Sequence, residues 1–222
     1  PSPSAPPPSP SPPPPSPSSP SLLPPSPAPP CTVEMLRQRP AGDKSWPIAC
    51  SHTTLGEGDE ELDLTGAHLS YGDFEGATFA GGGVGAIKLS GAGFAHAHLN
   101  GSKIIAFGYA SHYGDATIDF TEADLTNADL RGSVITAYAY YSGDATIDFT
   151  EADLTNADLR GSEVTAYASY GDITIDFTDA DLTNADLSGL KLTADSIIGL
   201  SPPPKPSLPS PPSPSPPPTN PS

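Results

Sequence analysis

Large apolar residues recur at every fifth position through most of this chain, and neither an α-helix nor a flat β-strand can bring a five-residue period to one core. Phe120, Leu125, Leu130 and Ile135 set the spacing. It returns at Phe149, Leu154, Leu159 and Val164, and again at Phe177, Leu182, Leu187, Leu192 and Ile197. Extended backwards, the same rule takes in Leu64, Leu69, Phe74, Phe79, Val84, Leu89, Phe94, Leu99 and Ile104, giving 22 such centres. A small residue such as Ala123, Ala128 or Ser133 stands two positions before most of them. Helical faces repeat at about 3.6 residues and strand faces at 2.0. One large and one small apolar residue in every five fits short extended stretches joined by bends, and four bends close a square. Repetition of this kind marks a solenoid.

A four-fold register is visible in the letters themselves. With the sides named A to D and Phe120 on A, the residues two before the A centres are Ile87, Ile118, Ile147 and Ile175 instead of alanine. The D centres read Val84, Ile104, Ile135 and Val164, and Ser102, Ser133 and Ser162 precede three of them by two. The motif "ADLTNADL" (Ala123–Leu130) resembles the pentapeptide-repeat family, whose unit is A(D/N)LXX, and the resemblance runs from about Leu62 to Ile198. It implies an all-β fold: a right-handed quadrilateral β-solenoid, here of about five and a half coils.

The body is framed by two segments of another kind. Seventeen of the first thirty residues are proline, and twelve more prolines lie between Pro202 and Pro221. Proline fixes φ and removes a backbone donor, so these arms are expected to be disordered or polyproline II. The expected organisation is an arm over residues 1–30, a cap over 31–61, a solenoid over 62–200 and a second arm over 201–222. The first arm carries no charge, so it lacks the basic anchor that usually accompanies a PxxP signalling ligand. "SPPPP" (Ser11–Pro15) and "SPSPPP" (Ser213–Pro218) resemble the extensin and arabinogalactan modules of plant and green-algal hydroxyproline-rich glycoproteins. That resemblance implies hydroxylation and O-linked arabinose or galactose at Pro12, Pro13, Pro14, Pro15, Pro202, Pro203, Pro204, Pro216, Pro217 and Pro218.

Three insertions interrupt the period, each directly after a D centre: "AFGYASHYGDA", "AYAYYSGDA" and "AYASYGDI". Leaving from one corner, they are expected to pile into a single ridge carrying Phe107, Tyr109, Tyr113, Tyr138, Tyr140, Tyr141, Tyr167 and Tyr170. The aromatics either shield that corner by stacking on one another or form a lateral contact surface for protein or glycan. Tyrosine suits contact because it offers an apolar face and a polar tip. Acids form columns as well. Asp119, Asp148 and Asp176 precede the A centres, and equivalent aspartates precede the B and C centres. Like charges one strand spacing apart repel by about 1 kcal/mol even in water. Solvation and neighbouring threonines relieve this, or a weak Ca²⁺ site at Asp119, Asp148 and Asp176 does.

The only two cysteines, Cys31 and Cys50, bracket a segment expected to cap the first coil through a disulfide, with a short helix near Val33–Gln38. A disulfide places the chain in an oxidising, extracellular setting. "NGS" at Asn100 is an N-glycosylation sequon. No signal peptide, initiating Met or apolar run long enough to span a membrane is present, which reads as a mature product or an excerpt of a longer chain. No nucleophile–base pair can be assembled, so no enzyme is expected. The function expected is a structural or docking module of an extracellular glycoprotein in a cell wall or on a cell or flagellar surface. Its partners would be other such chains, copies of itself or their glycans, with no nucleic acid. The alternative rests on the net charge of −17: an acidic module of the pentapeptide-repeat kind that mimics nucleic acid toward topoisomerases.

Overall fold

In the computed structural model, residues 31–41, 48–56, 61–82, 85–109 and 113–200 are described. Both proline-rich arms, with their candidate glycosylation prolines, lie outside them, as does Trp46.

The five-residue bends build a square shaft. Strands Thr54–Leu55, Thr78–Gly81, Lys103–Gly108, Val134–Tyr141, Glu163–Ala168 and Lys191–Thr193 stack in parallel along side D. Strands Leu62–Asp63, Ala86–Lys88, Ala116–Asp119, Ala145–Asp148, Ile173–Asp176 and Ser196–Ile198 stack in the same way along side A. Columns of single parallel bridges form the other two sides. His68, Gly93, Asp124, Asp153 and Asp181 follow one another on B, and Ala49, Asp73, His98, Asp129, Asp158 and Asp186 on C. The fold is an all-β parallel solenoid with one short helix among the described residues.

Each bend has the same local cause. The centre's carbonyl accepts from the N–H three residues on, as in Ala123 N–H to Phe120 O at 2.9 Å and Ala128 N–H to Leu125 O at 2.9 Å. The second residue of the bend takes positive φ, for example Gly132 at 62° and Asn127 at 56°. That is the type II turn, which favours Gly or Asn at this position.

Centres and small partners fill the interior. Phe120, Phe149 and Phe177 stack in one column with ring centroids 4.8 Å apart and planes within 4° of parallel. The serine column is buried too. Ser162 Oγ donates to Leu130 O at 2.6 Å and lies 3.4 Å from Ser133 Oγ.

Two centres fall out of register. Leu55, Phe79, Ile104, Ile135, Val164 and Leu192 share side D. Phe79, and not Val84, is therefore the D centre of its coil, and Val84 lies in the connection that follows, outside the described residues. A fourth insertion thus leaves the same corner. A signal for this was present: Leu62 stands two before Leu64 as Ile87 stands before Leu89, which marks Leu64 as an A centre. At the far end Ile197 pairs with Ile175, not with Phe177, and is 43% exposed. The last connection takes up two further residues, so the position opposite Phe177 falls on Gly199.

The amino-terminal end of the shaft is closed. Cys31 and Cys50 are joined, with Cα atoms 5.3 Å apart. Helix Val33–Gln38 is N-capped by Thr32, whose hydroxyl accepts from Met35 N–H at 3.2 Å, and it buries Leu36 against the core. Within the shaft, the carbonyls facing backwards accept from the preceding coil. In the first complete coil, that role falls to the cap. Cys50 N–H donates to Asp73 O (2.7 Å) and His52 N–H to Glu75 O (2.8 Å). Arg37 Nε donates to Asp63 O (2.6 Å), while the Arg39 guanidinium reaches His68 O (2.8 Å) and Ser70 O (3.0 Å). Two arginines and a half-coil stand in for a missing turn and close an edge that would otherwise invite stacking.

Candidate interaction surface

The three aromatic insertions continue the side D strands outward beyond the square. Phe107, Tyr138 and Tyr167 are in register across three neighbouring strands, and Gly108, Ala139 and Ala168 follow in the same register. Alternate residues turn inward: Ala106, Ala137, Ala139, Ala166 and Ala168 are buried. The chain then folds back so closely that glycine is required. A Cβ on Gly108 would run into the Gly114 and Asp115 carbonyls, and one on Gly143 into Gly114. The return corners are tied by aspartates. Asp144 N–H donates to Asp115 Oδ1 (2.9 Å), and Asp172 N–H to Asp144 Oδ1 (2.8 Å).

The result is a thin two-layered fin with aromatic rings on its outer face. Tyr138 is its hub: 4.6 Å from Tyr167, 4.7 Å from Tyr140 and 6.4 Å from Phe107, centroid to centroid. Tyr109 stacks on Tyr140 at 4.7 Å and on Phe107 at 5.6 Å. Of the ridge residues, the structure brings together Phe107, Tyr109, Tyr138, Tyr140 and Tyr167, along extended strands instead of loops. The alternating "AYAY" was the strand signal. Tyr170 stands apart, 87% exposed. Tyr113 and Tyr141 meet as an antiparallel backbone pair, and their side chains lie outside the described part. Stacking and exposure coexist, since Tyr109 and Tyr167 remain 53% and 45% exposed. Desolvation first, and tyrosine neighbours second, raise the Tyr109 and Tyr138 hydroxyls above the usual phenol range, so both remain neutral donors.

The acid columns have a structural use. Asp119, Asp148 and Asp176 each accept, through Oδ1, the N–H two residues on, at 2.9, 2.8 and 2.8 Å. Asp124, Asp153 and Asp181 repeat this on side B. These Asx turns hold the bend. On side C, Arg131 bridges Asp129 (2.5 Å) and Asp158 (3.6 Å), and Arg160 bridges Asp158 (2.6 Å) and Asp186 (3.5 Å). The adjacent guanidinium pulls Asp129 and Asp158 below the usual carboxylate range. Among the described residues no group of three or more His, Cys, Asp or Glu is placed to hold a metal ion. Asp119, Asp148 and Asp176, the Ca²⁺ candidates of the sequence, form no such group, and the Oδ1 of each serves its turn.

Asn100 is half-buried on a bend, and the Ser102 of its sequon is buried in the core. At the carboxyl-terminal end, Leu182, Leu187 and Gly199 help line a recess of about 1070 Å³. Among the described residues no helix is long and apolar enough to cross a membrane.

The model of the family described as "Pentapeptide repeats" matches residues 118–136 and 175–194, with 8 copies. Over those two stretches the units of the shaft match pentapeptide repeats. The chain is similar to the crystal structure of HetL, a pentapeptide repeat protein involved in heterocyst differentiation regulation from the cyanobacterium Nostoc sp. strain PCC 7120. Identity is 19% over 65% of this chain and 86% of that one, with a TM-score of 0.21. It is also similar to a trypsin-treated form of QnrB1, a plasmid-mediated fluoroquinolone resistance protein, at 16% identity over 66% of this chain and 91% of the other, with a TM-score of 0.18. No curated protein matches the chain.

Proposed function

We propose that this protein is a non-enzymatic structural and docking module of an extracellular hydroxyproline-rich glycoprotein. The pentapeptide solenoid is its rigid spacer, and the proline arms are its glycosylated rods. The observation that carries the reading is the shaft itself: stacked side chains occupy its axis from Leu55 to Phe177, leaving its outer faces for contact. The aromatic fin is the most distinctive of those faces. The Cys31–Cys50 pair supports an oxidising compartment, and the Ser-Pro motifs of the arms support hydroxylation. Charge mimicry of nucleic acid has less support, because Arg131 and Arg160 interleave with the aspartates of side C. Intact-mass analysis of the native protein tests the proposal. Added oxygen and pentose or hexose masses on the arms, with the cysteines oxidised, are expected. Unmodified prolines with free thiols would remove the extracellular assignment.

A further inference from the structure

We infer that the aromatic fin is a receptor for polyproline II and that its occupant is the Pro1–Pro30 arm of a second copy of this chain. The inference rests on reading the fin as a contact surface, and it names the partner.

Three features of the fin match such a ligand. Its rings follow the strand stacking of the solenoid: the Phe107, Tyr138 and Tyr167 centroids lie 6.4 and 4.6 Å apart in turn, so the two steps span at most about 11 Å. One turn of polyproline II, three residues at about 3.1 Å each, advances by about 9 Å. Prolines three apart therefore fall over the first and third rungs, with the intervening residues over the tyrosine between. The chemistry is complementary as well. Outside the glycosylation candidates Pro12–Pro15, the prolines of the arm offer apolar rings and carbonyl acceptors with few N–H donors, while the fin presents the exposed rings of Tyr109 and Tyr167 and neutral tyrosine hydroxyls that can donate. Docking of proline-rich strands in aromatic-lined grooves is a general recognition mode that exploits their preformed conformation. Charge is the third feature. The arm has no charged side chain and the ring cluster is built of Phe and Tyr alone, so neither side needs an ionic anchor.

The arm's attachment argues for a neighbouring copy. Cys31 is pinned to Cys50 in the cap at one end of the shaft, whereas the fin sits on the coils of Ile104, Ile135 and Val164 farther along. A proline-dense strand is semi-rigid, and seventeen of the thirty residues before Cys31 are proline, a composition that disfavours doubling back onto the fin of the same copy. Each copy then offers one rod and one receptor, a head-to-tail arrangement that propagates into chains instead of closing.

The test uses the full chain with unmodified prolines and a synthetic peptide of residues 1–30. Sedimentation velocity over a concentration series is expected to show self-association that excess peptide suppresses. The Tyr138→Ser/Tyr140→Ser/Tyr167→Ser variant should lose peptide binding at least tenfold while keeping its circular dichroism. If that variant fails to fold, Tyr109→Ala, at a 53% exposed position, should still weaken the peptide at least threefold. A peptide that does not bind, or binds variant and parent equally, overturns the inference. A chain that binds peptide yet stays monomeric at every concentration overturns the second-copy assignment. None of these readouts involves proline modification or thiol state, so docking can fail while the glycoprotein reading stands, and the reverse.

Discussion

Replacing Phe149 with alanine probes the shaft where it is least able to adjust. Phe149 is 1% exposed and lies between Phe120 and Phe177, each 4.8 Å away with its ring nearly parallel. Its backbone cannot move inward to fill a void. Phe120 N–H donates to Asp148 O at 2.7 Å and Phe149 N–H to Asp176 O at 2.7 Å, which fixes the coil on both sides. A buried Phe→Ala change costs about 3–5 kcal/mol, and the upper part of that range applies where the site cannot collapse. The loss of two ring contacts, each worth about 0.5–1.5 kcal/mol, points the same way. Phe149→Leu should be much milder, about 1–1.5 kcal/mol, because Leu89 and Leu64 already occupy the same column one and two coils before Phe120. Urea unfolding at 25 °C, followed by circular dichroism, measures both. Alanine within about 1 kcal/mol of the parent, or indistinguishable from leucine, would show that the column is not a filled core.

Arg39→Ala removes the donor to His68 O and Ser70 O, and should cost about 2–3 kcal/mol as charge-assisted bonds are lost. Hydrogen exchange should quicken first in residues 64–79, and a uniform change along the shaft would refute the capping role. Two glycine-to-alanine changes should separate by mechanism. Gly132→Ala has open space around it but a φ of 62°, so it should cost only about 1–2 kcal/mol of backbone strain. Gly108→Ala drives a Cβ into the Gly114 and Asp115 carbonyls and should pry the fin apart, read as lost order in the tyrosine resonances. Acid gives the fourth prediction. Asp63, Asp73, Asp129, Asp158, Asp181 and Asp186 are all held below the usual 3.8 by hydrogen bonds, with arginine adding to several. Their stabilisation is complete above the unfolded value and is lost as pH falls through the lower folded values. Urea midpoints should therefore be level from pH 7 to about 5 and drop below about 4. A rise on acidification would mean that relief of aspartate repulsion dominates.

How much was legible depended on whether the cause was local. The bend is decided within five residues: centre, turn, positive φ and Asx acceptor are all neighbours in sequence, so the square register of Phe120 to Leu192 could be read from letters. Val84 shows the limit. It satisfied the spacing by coincidence, and the pairing of Phe79 with Ile104 removed it, although Leu62 two before Leu64 already pointed to the other register. The fin's membership was legible because all three aromatic insertions follow D centres. Its two-layered form was not, since that depends on glycines approaching carbonyls of another coil.

The sequence by itself determined the fold, the four-sided register, the capping helix and the column of phenylalanines, because each arises from a repeated local pattern that has one way to close. Tertiary structure alone decided the rest: that Arg37 and Arg39 stand in for a missing coil, and that Arg131 and Arg160 divide the charge of side C. It also decided that the aromatic insertions close into a two-layered fin, with the return corner of one coil held against the next. Those arrangements join residues 26 to 31 positions apart, and their partners are chosen by the stacking distance between coils, which no stretch of sequence carries on its own.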